Sequence, residues 1–178
     1  MNKGIYIAIL SVVLLVVGCQ QGTTQIENKV YTNTEYGFQL NYPSDWRMDE
    51  SDDGNAYIVS FEKESEGVVQ VWVFYSSLYW PLYSTGLDTF YEESVNAYKD
   101  VREEFRILEE RDTTIDGLPA KEITFAFTYQ GYPRKQTSIV FLGAVPVPYE
   151  IVYTPVASND KHSDDFRLIA NSFKFLDK

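Results

Sequence analysis

A single cysteine, Cys19, and a single histidine, His162, stand in the whole chain. One cysteine excludes an internal disulfide and any cysteine-built zinc cage. One histidine leaves a narrow opening for His-dependent catalysis or metal binding. Basic residues are scarce as well: 15 Lys and Arg face 26 Asp and Glu, for a net charge of −11. A surface of that sign repels a phosphate backbone, so no nucleic-acid partner is expected. Internal repeats and low-complexity blocks are missing, which excludes solenoids and fibrous arrays. Aromatic residues are plentiful at 16%, 14 of them tyrosines, within a hydrophobic total of 44%. That usage leans toward strands and away from disorder. With 178 residues the chain makes one domain large enough to need no covalent staple.

The longest apolar run is Ile5 to Val17, broken only by Ser11 and preceded by Lys3. As a helix it spans roughly 20 Å, short of the ~30 Å hydrocarbon core, and fits a signal-peptide h-region. The run ends in Val16-Val17-Gly18-Cys19, which resembles the lipobox of bacterial lipoproteins. In that family the cysteine sulfur is joined to diacylglycerol and the chain is cut just before it. The resemblance implies a signal peptide over 1–18 and a lipidated tether over 19–29. Gln20 to Lys29 is polar and without periodicity; about ten such residues reach at most roughly 35 Å. The acidic body is repelled by anionic headgroups, so the lipid must do the anchoring. The expected location is outside the cytoplasm, at the cell membrane or outer membrane.

Residues 30–178 read as one domain. Tyr36 to Tyr42 alternates apolar and polar residues, Pro43 stops the pattern, and Trp46 follows in a short connection. Asp52-Asp53-Gly54-Asn55 signals a turn into Ala56–Phe61, with Tyr57, Val59 and Phe61 on one face. After a turn at Glu66-Gly67, Val68 to Tyr75 is apolar on both faces and reads as a central strand covered on both sides. Leu87 to Phe105 carries apolar residues at spacings of three and four and reads as a helix, opened by a Thr85/Asp88 capping box. Its Glu92, Glu93, Lys99, Asp100, Arg102 and Glu103 form a solvated face. Strand signals return over Arg106–Ile115, Lys121–Tyr129, Lys135–Leu142 and Tyr149–Thr154, with turns at Asp116-Gly117 and Gln130-Gly131. Phe166, Ile169, Ala170 and Phe173 mark a closing helix. Short links favour antiparallel neighbours, so the fold class is α+β, a mostly antiparallel sheet flanked by helices.

Three segments resemble PsbP-like domains. Tyr36-Gly37-Phe38-Gln39-Leu40-Asn41-Tyr42-Pro43-Ser44-Asp45-Trp46 is similar to the family's opening, Asp116-Gly117-Leu118-Pro119-Ala120 to its central turn, and Asp165 to Phe175 to its F-x-x-hydrophobic-x-x-SF end. The resemblance covers about Val30 to Phe175 and implies an α-β-α sandwich. Members of the family include extrinsic photosystem II subunits that aid calcium and chloride retention, a nuclear-transport protein that binds a small GTPase, and lipoproteins of no known activity. The extension by which photosystem members contact their partner is absent here, which counts against a photosynthetic role.

Few residues offer chemistry. His162 reads as a solvated surface residue; no G-x-S-x-G elbow supports a triad around it. Asp49, Glu50, Asp52, Asp53 and Asn55 form an acidic turn that reads as a charged hairpin end rather than a calcium loop. Leu78 to Tyr83 sets Tyr79, Trp80 and Tyr83 around Pro81; such rigid aromatics suit a contact site, or a loop folded onto the core. No cofactor or metal is expected. The sequence points to a non-enzymatic envelope lipoprotein that presents its domain for contacts with an envelope protein. The alternative is a lipoprotein that binds a small apolar ligand or solute.

Overall fold

The computed structural model of the chain describes residues 27–76, 86–143, 147–156 and 160–176. Within them the order is β1 (Asn28–Asn33), β2 (Phe38–Pro43), β3 (Arg47–Asp52), β4 (Ala56–Lys63), β5 (Gly67–Phe74), α1 (Leu87–Val101), β6 (Glu103–Ile115), β7 (Leu118–Tyr129), β8 (Tyr132–Leu142), β9 (Pro148–Pro155), α2 (Ser163–Ser172) and β10 (Lys174–Phe175). Seven strands make one antiparallel sheet in the order β3-β4-β5-β9-β8-β7-β6, and three make a smaller one, β1-β2-β10. Among the described residues no helix is long and apolar enough to cross a membrane.

Local chemistry sets the hairpins. Asp116 and Gly117 have φ of 49° and 76°, and Gln130 and Gly131 have φ of 52° and 79°. Two successive left-handed residues give a two-residue turn whose twist matches the strands it joins. The registers agree, with Ile115 opposite Leu118 and Tyr129 opposite Tyr132.

The large sheet is buried on one face by the small sheet together with α2. Val59, Phe61, Val69, Val71, Val73, Phe141 and Ile151 meet Phe38, Leu40, Phe166, Ile169 and Phe173 in a core almost closed to solvent. Phe38 stacks on Phe173 at 5.0 Å and Phe141 on Tyr149 at 5.4 Å. The opposite face carries α1, which packs Val95, Tyr91 and Tyr98 over Ile123 and Phe125. Only Phe90 and Val95 of α1 are buried. At about 1.5–3 kcal/mol for each buried apolar side chain, the helix is lightly held.

The α+β class and the helix on each face stand as expected, but several details differ. The small sheet was not legible, because β1 is mostly exposed and β10 has two residues. The strand covered on both faces is β9, where seven of eight residues are buried, whereas Val68, Gln70, Trp72 and Phe74 of β5 are half-exposed. The first helix stops at Val101, which is 76% exposed, and Phe105 belongs to β6. A register shift between Glu103 and Arg106, with Glu104 at φ 53°, turns Phe105 back onto Phe125 at 5.0 Å. A bulge of this kind re-aims a side chain and so prolongs a helix-like spacing beyond the helix. The N-cap of α1 is Gly86, and Thr85 of the expected capping box lies outside the described residues. Finally, Asp49 and Glu50 lie in the edge strand β3 rather than in a turn. Both sheet edges, β3 and β6, are rich in charge, which blocks edge-to-edge pairing.

Candidate functional site

The face of the large sheet that α1 covers only in part holds a cavity of about 480 Å³. Its floor is β5 and β9. Strand alternation sends Val69, Val71 and Val73 into the main core, and so must send Gln70, Trp72 and Phe74 to the other face. The same alternation on β9 brings Glu150, Val152 and Thr154 beside them. The wall is α1, through Phe90, Ser94, Ala97 and Tyr98. A mostly apolar cleft with a few converging polar groups is the usual form of a small-molecule site.

Glu150 is the buried acid of this site, 6% exposed. It sits opposite Trp72 on β5 and Val140 on β8. One carboxyl oxygen accepts from the hydroxyls of Tyr98 and Ser138. Burial raises its pKa to about 8, so near neutral pH it is largely a protonated acid. Trp72 adds a buried indole N–H that has no acceptor among the described residues.

Arg102 is the positive group. It leaves the end of α1 in an extended conformation, φ −121° and ψ 123°. Its guanidinium lies 4.5 Å from the Tyr98 ring centroid, 5.0 Å from Phe127 and 5.4 Å from Phe125, and donates to Gln136 Oε1 at 3.1 Å. Burial pulls its pKa below the ordinary value, yet a guanidinium keeps its charge in proteins. Among the described residues no carboxylate pairs with it. Arg102 and Thr154 also line a second cavity, of about 500 Å³, that holds Arg134 and Phe127 and no acidic residue among those described.

Val16, Val17, Gly18, Cys19, Tyr79, Trp80 and Tyr83 lie outside the described residues. His162 is not a solvated surface residue. Nε2 meets Glu66 at 2.5 Å, Nδ1 meets Asp165 at 2.7 Å, and Trp46 packs edge-on at 5.4 Å. Burial alone would lower its pKa; the two carboxylates more than offset that and raise it. The imidazole thus clamps the β4–β5 turn to the start of α2 and lies outside the cavity. Its sequence neighbours are polar, so nothing local announced partners as distant as Trp46 and Glu66.

The acidic turn is taken up by hydrogen bonds. Asp53 Oδ1 accepts from the Asn55 and Ala56 amides at 2.8 and 2.9 Å, and Glu50 accepts from the hydroxyls of Tyr31 and Tyr57. Among the described residues no group of three or more His, Cys, Asp or Glu is placed to hold a metal ion.

The charge pattern places Arg102 on a solvated helix face, but the helix ends one residue earlier, and the extended backbone carries its side chain inward. Glu150 had one signal, a lone charge within the apolar run Tyr149 to Tyr153.

The family model for PsbP-like protein matches residues 16–175. The chain belongs to the PsbP-like protein family. Solved structures agree on the fold of this PsbP-like chain. Cyanobacterial PsbP from Synechocystis sp. PCC 6803 is 15% identical, with a TM-score of 0.58 over 89% of this chain and 98% of that one. A protein from Bacteroides thetaiotaomicron VPI-5482 is 12% identical, with a TM-score of 0.58 over 86% of this chain and 50% of that one. PA94 of Pseudomonas aeruginosa is 14% identical, with a TM-score of 0.50 over 77% of this chain and 88% of that one. No curated protein matches. Likeness at this identity carries the PsbP-like fold and not a function.

Proposed function

We propose that this PsbP-like chain is a non-enzymatic envelope lipoprotein, tethered at Cys19, that binds a small, largely apolar molecule in the cavity beneath α1. The observation that carries the proposal is the cavity itself, floored by Trp72, Phe74 and Val152 and closed by Phe90 and Tyr98. Its polar groups are suited to holding rather than reacting. Glu150 is kept protonated and shares hydrogen bonds with Tyr98 and Ser138, and Gln136 is engaged by Arg102. The histidine lies outside the cavity, between two carboxylates. Presentation of the PsbP-like domain for protein contacts is the second reading; its candidate contact residues Tyr79, Trp80 and Tyr83 lie outside the described residues.

The tether is supported by sequence: the one cysteine of the chain follows a short apolar run and a small residue. At about 0.8 kcal/mol per buried CH₂, two or more acyl chains hold a protein on a bilayer that its acidic body would otherwise leave. Cys19→Ser is expected to move the protein out of the membrane fraction. Retention in the membrane fraction at unchanged yield contradicts the tether. The binding half of the proposal is tested by whether protein taken from its host carries a non-covalent guest that a filled cavity excludes.

A further inference from the structure

We infer that the ligand is a long-chain carboxylate, its head group paired with Arg102 and its chain lying along Trp72, Phe74 and Phe90. The inference rests on the ligand-binding reading above and deepens it.

In a chain with 26 acidic residues against 15 basic ones, a half-buried cation normally finds a carboxylate. Arg111 and Arg167 both do so, at Glu122. Arg102 does not. It is desolvated against three aromatic rings, and its hydrogen-bond partner is a neutral amide oxygen, Gln136 Oε1. Desolvating a charge costs free energy unless it is paired. An unpaired guanidinium beside an apolar cavity is therefore complementary to an anion that arrives with the ligand.

The surroundings narrow the head group. A guanidinium presents a planar fork of donors that matches a carboxylate. The exposed Glu93 at the rim and the overall charge of −11 disfavour a group with two or more negative charges. The rest of the ligand is set by the floor. Trp72, Phe74 and Val152 offer rings and methyls, and Glu150 between them is hydrogen-bonded to Tyr98 and Ser138. That surface receives an acyl chain. The second cavity, joined at Arg102 and Thr154, brings Arg134 to the same end, so the positive field is concentrated at one end of the tail's path.

The test uses the full chain in lipid nanodiscs with a hexadecanoic acid carrying a mid-chain diazirine, beside its methyl ester. After illumination, labelled residues are mapped by peptide mass spectrometry. The acid is expected to label β5 and α1 about tenfold more than the ester, as a hydrogen-bonded charge pair allows. Arg102→Gln should remove that preference and Arg102→Lys should keep much of it. Equal labelling by acid and ester in the wild-type chain, unchanged by Arg102→Gln, overturns the head-group assignment and leaves the cavity reading standing. Absence of label on β5 and α1 with both probes overturns the cavity reading, and this inference with it. The acid–ester comparison needs no variant to fold.

Discussion

Glu150→Gln is expected to raise the thermal midpoint at about pH 8.5 by roughly 10–15 °C and to leave it nearly unchanged at about pH 4.5, at ~2–4 °C per kcal/mol for a chain of this size. Glu150 has a folded pKa of about 8 against an ordinary 4.5. Between these values the folded state holds a proton that the unfolded state has released. Stability therefore falls as pH rises through that window and levels off above it. Integrated over the window, the loss is on the order of a few kcal/mol. Glutamine has no proton to lose, and its amide oxygen can take over the hydrogen bonds from Tyr98 and Ser138. Parallel midpoint-against-pH curves for the two proteins would contradict the assignment of Glu150 as a buried neutral acid.

Arg167→Ala is expected to lower the midpoint at neutral pH by roughly 5–10 °C, corresponding to about 2–3 kcal/mol. Arg167 joins α2 to β7 through two contacts with Glu122, at 2.7 and 2.5 Å, and Arg111 adds a third at 2.9 Å. Glu122 is 4% exposed. Losing one partner of a buried pair usually costs ~3–5 kcal/mol, because a charge is left uncompensated. The loss is smaller here because Arg111 remains and Arg167 is itself partly solvated, which screens the pair. Burial alone would raise the Glu122 pKa, and the two guanidiniums override it, so the folded value is lowered. The contribution is thus present above the ordinary carboxylate pKa of 4.5 and is lost as pH falls through the folded value. The deficit of Arg167→Ala should shrink by about pH 3, and should be less than half as large in a Glu122→Gln background. An equal deficit in both backgrounds would contradict the pairing.

Much of the fold was legible because it is written in short-range patterns. Turns at Asp116-Gly117 and Gln130-Gly131 are specified by residues that accept positive φ. The closing helix buries Phe166, Ile169 and Ala170, as its spacing dictates, and its C-cap Phe173 is buried beside them. What was not legible depends on contacts between distant segments. Phe105 follows Val101 at a helical interval yet reaches the cluster of Val95, Ile123 and Phe125 from a strand. His162 has its partners at Trp46 and Glu66, far away in sequence.

The candidate site was the least legible part. A cavity is created by what a helix fails to cover, and α1 covers little because only Phe90 and Val95 are buried along it. Neither residue looks weak in the sequence. Arg102 sits in a run of charges that resembles any solvated helix face. Only Glu150, a lone acid in the apolar stretch Tyr149 to Tyr153, carried a readable signal. Buried acids displaced from their ordinary pKa gather at functional sites, which is the physical reason to weigh that residue.

Native mass spectrometry of the protein in nanodiscs drawn from its host's membranes, beside Ala97→Trp, tests the account most directly. Ala97 is exposed at the cavity wall, so a larger side chain there fills the cavity at a cost of well under about 1 kcal/mol in helix propensity. The account predicts a wild-type chain starting at Cys19, carrying covalent lipid and one further non-covalent guest, and a variant that keeps the lipid but loses the guest. A wild-type chain with no guest, or the same guest on both proteins, would contradict it.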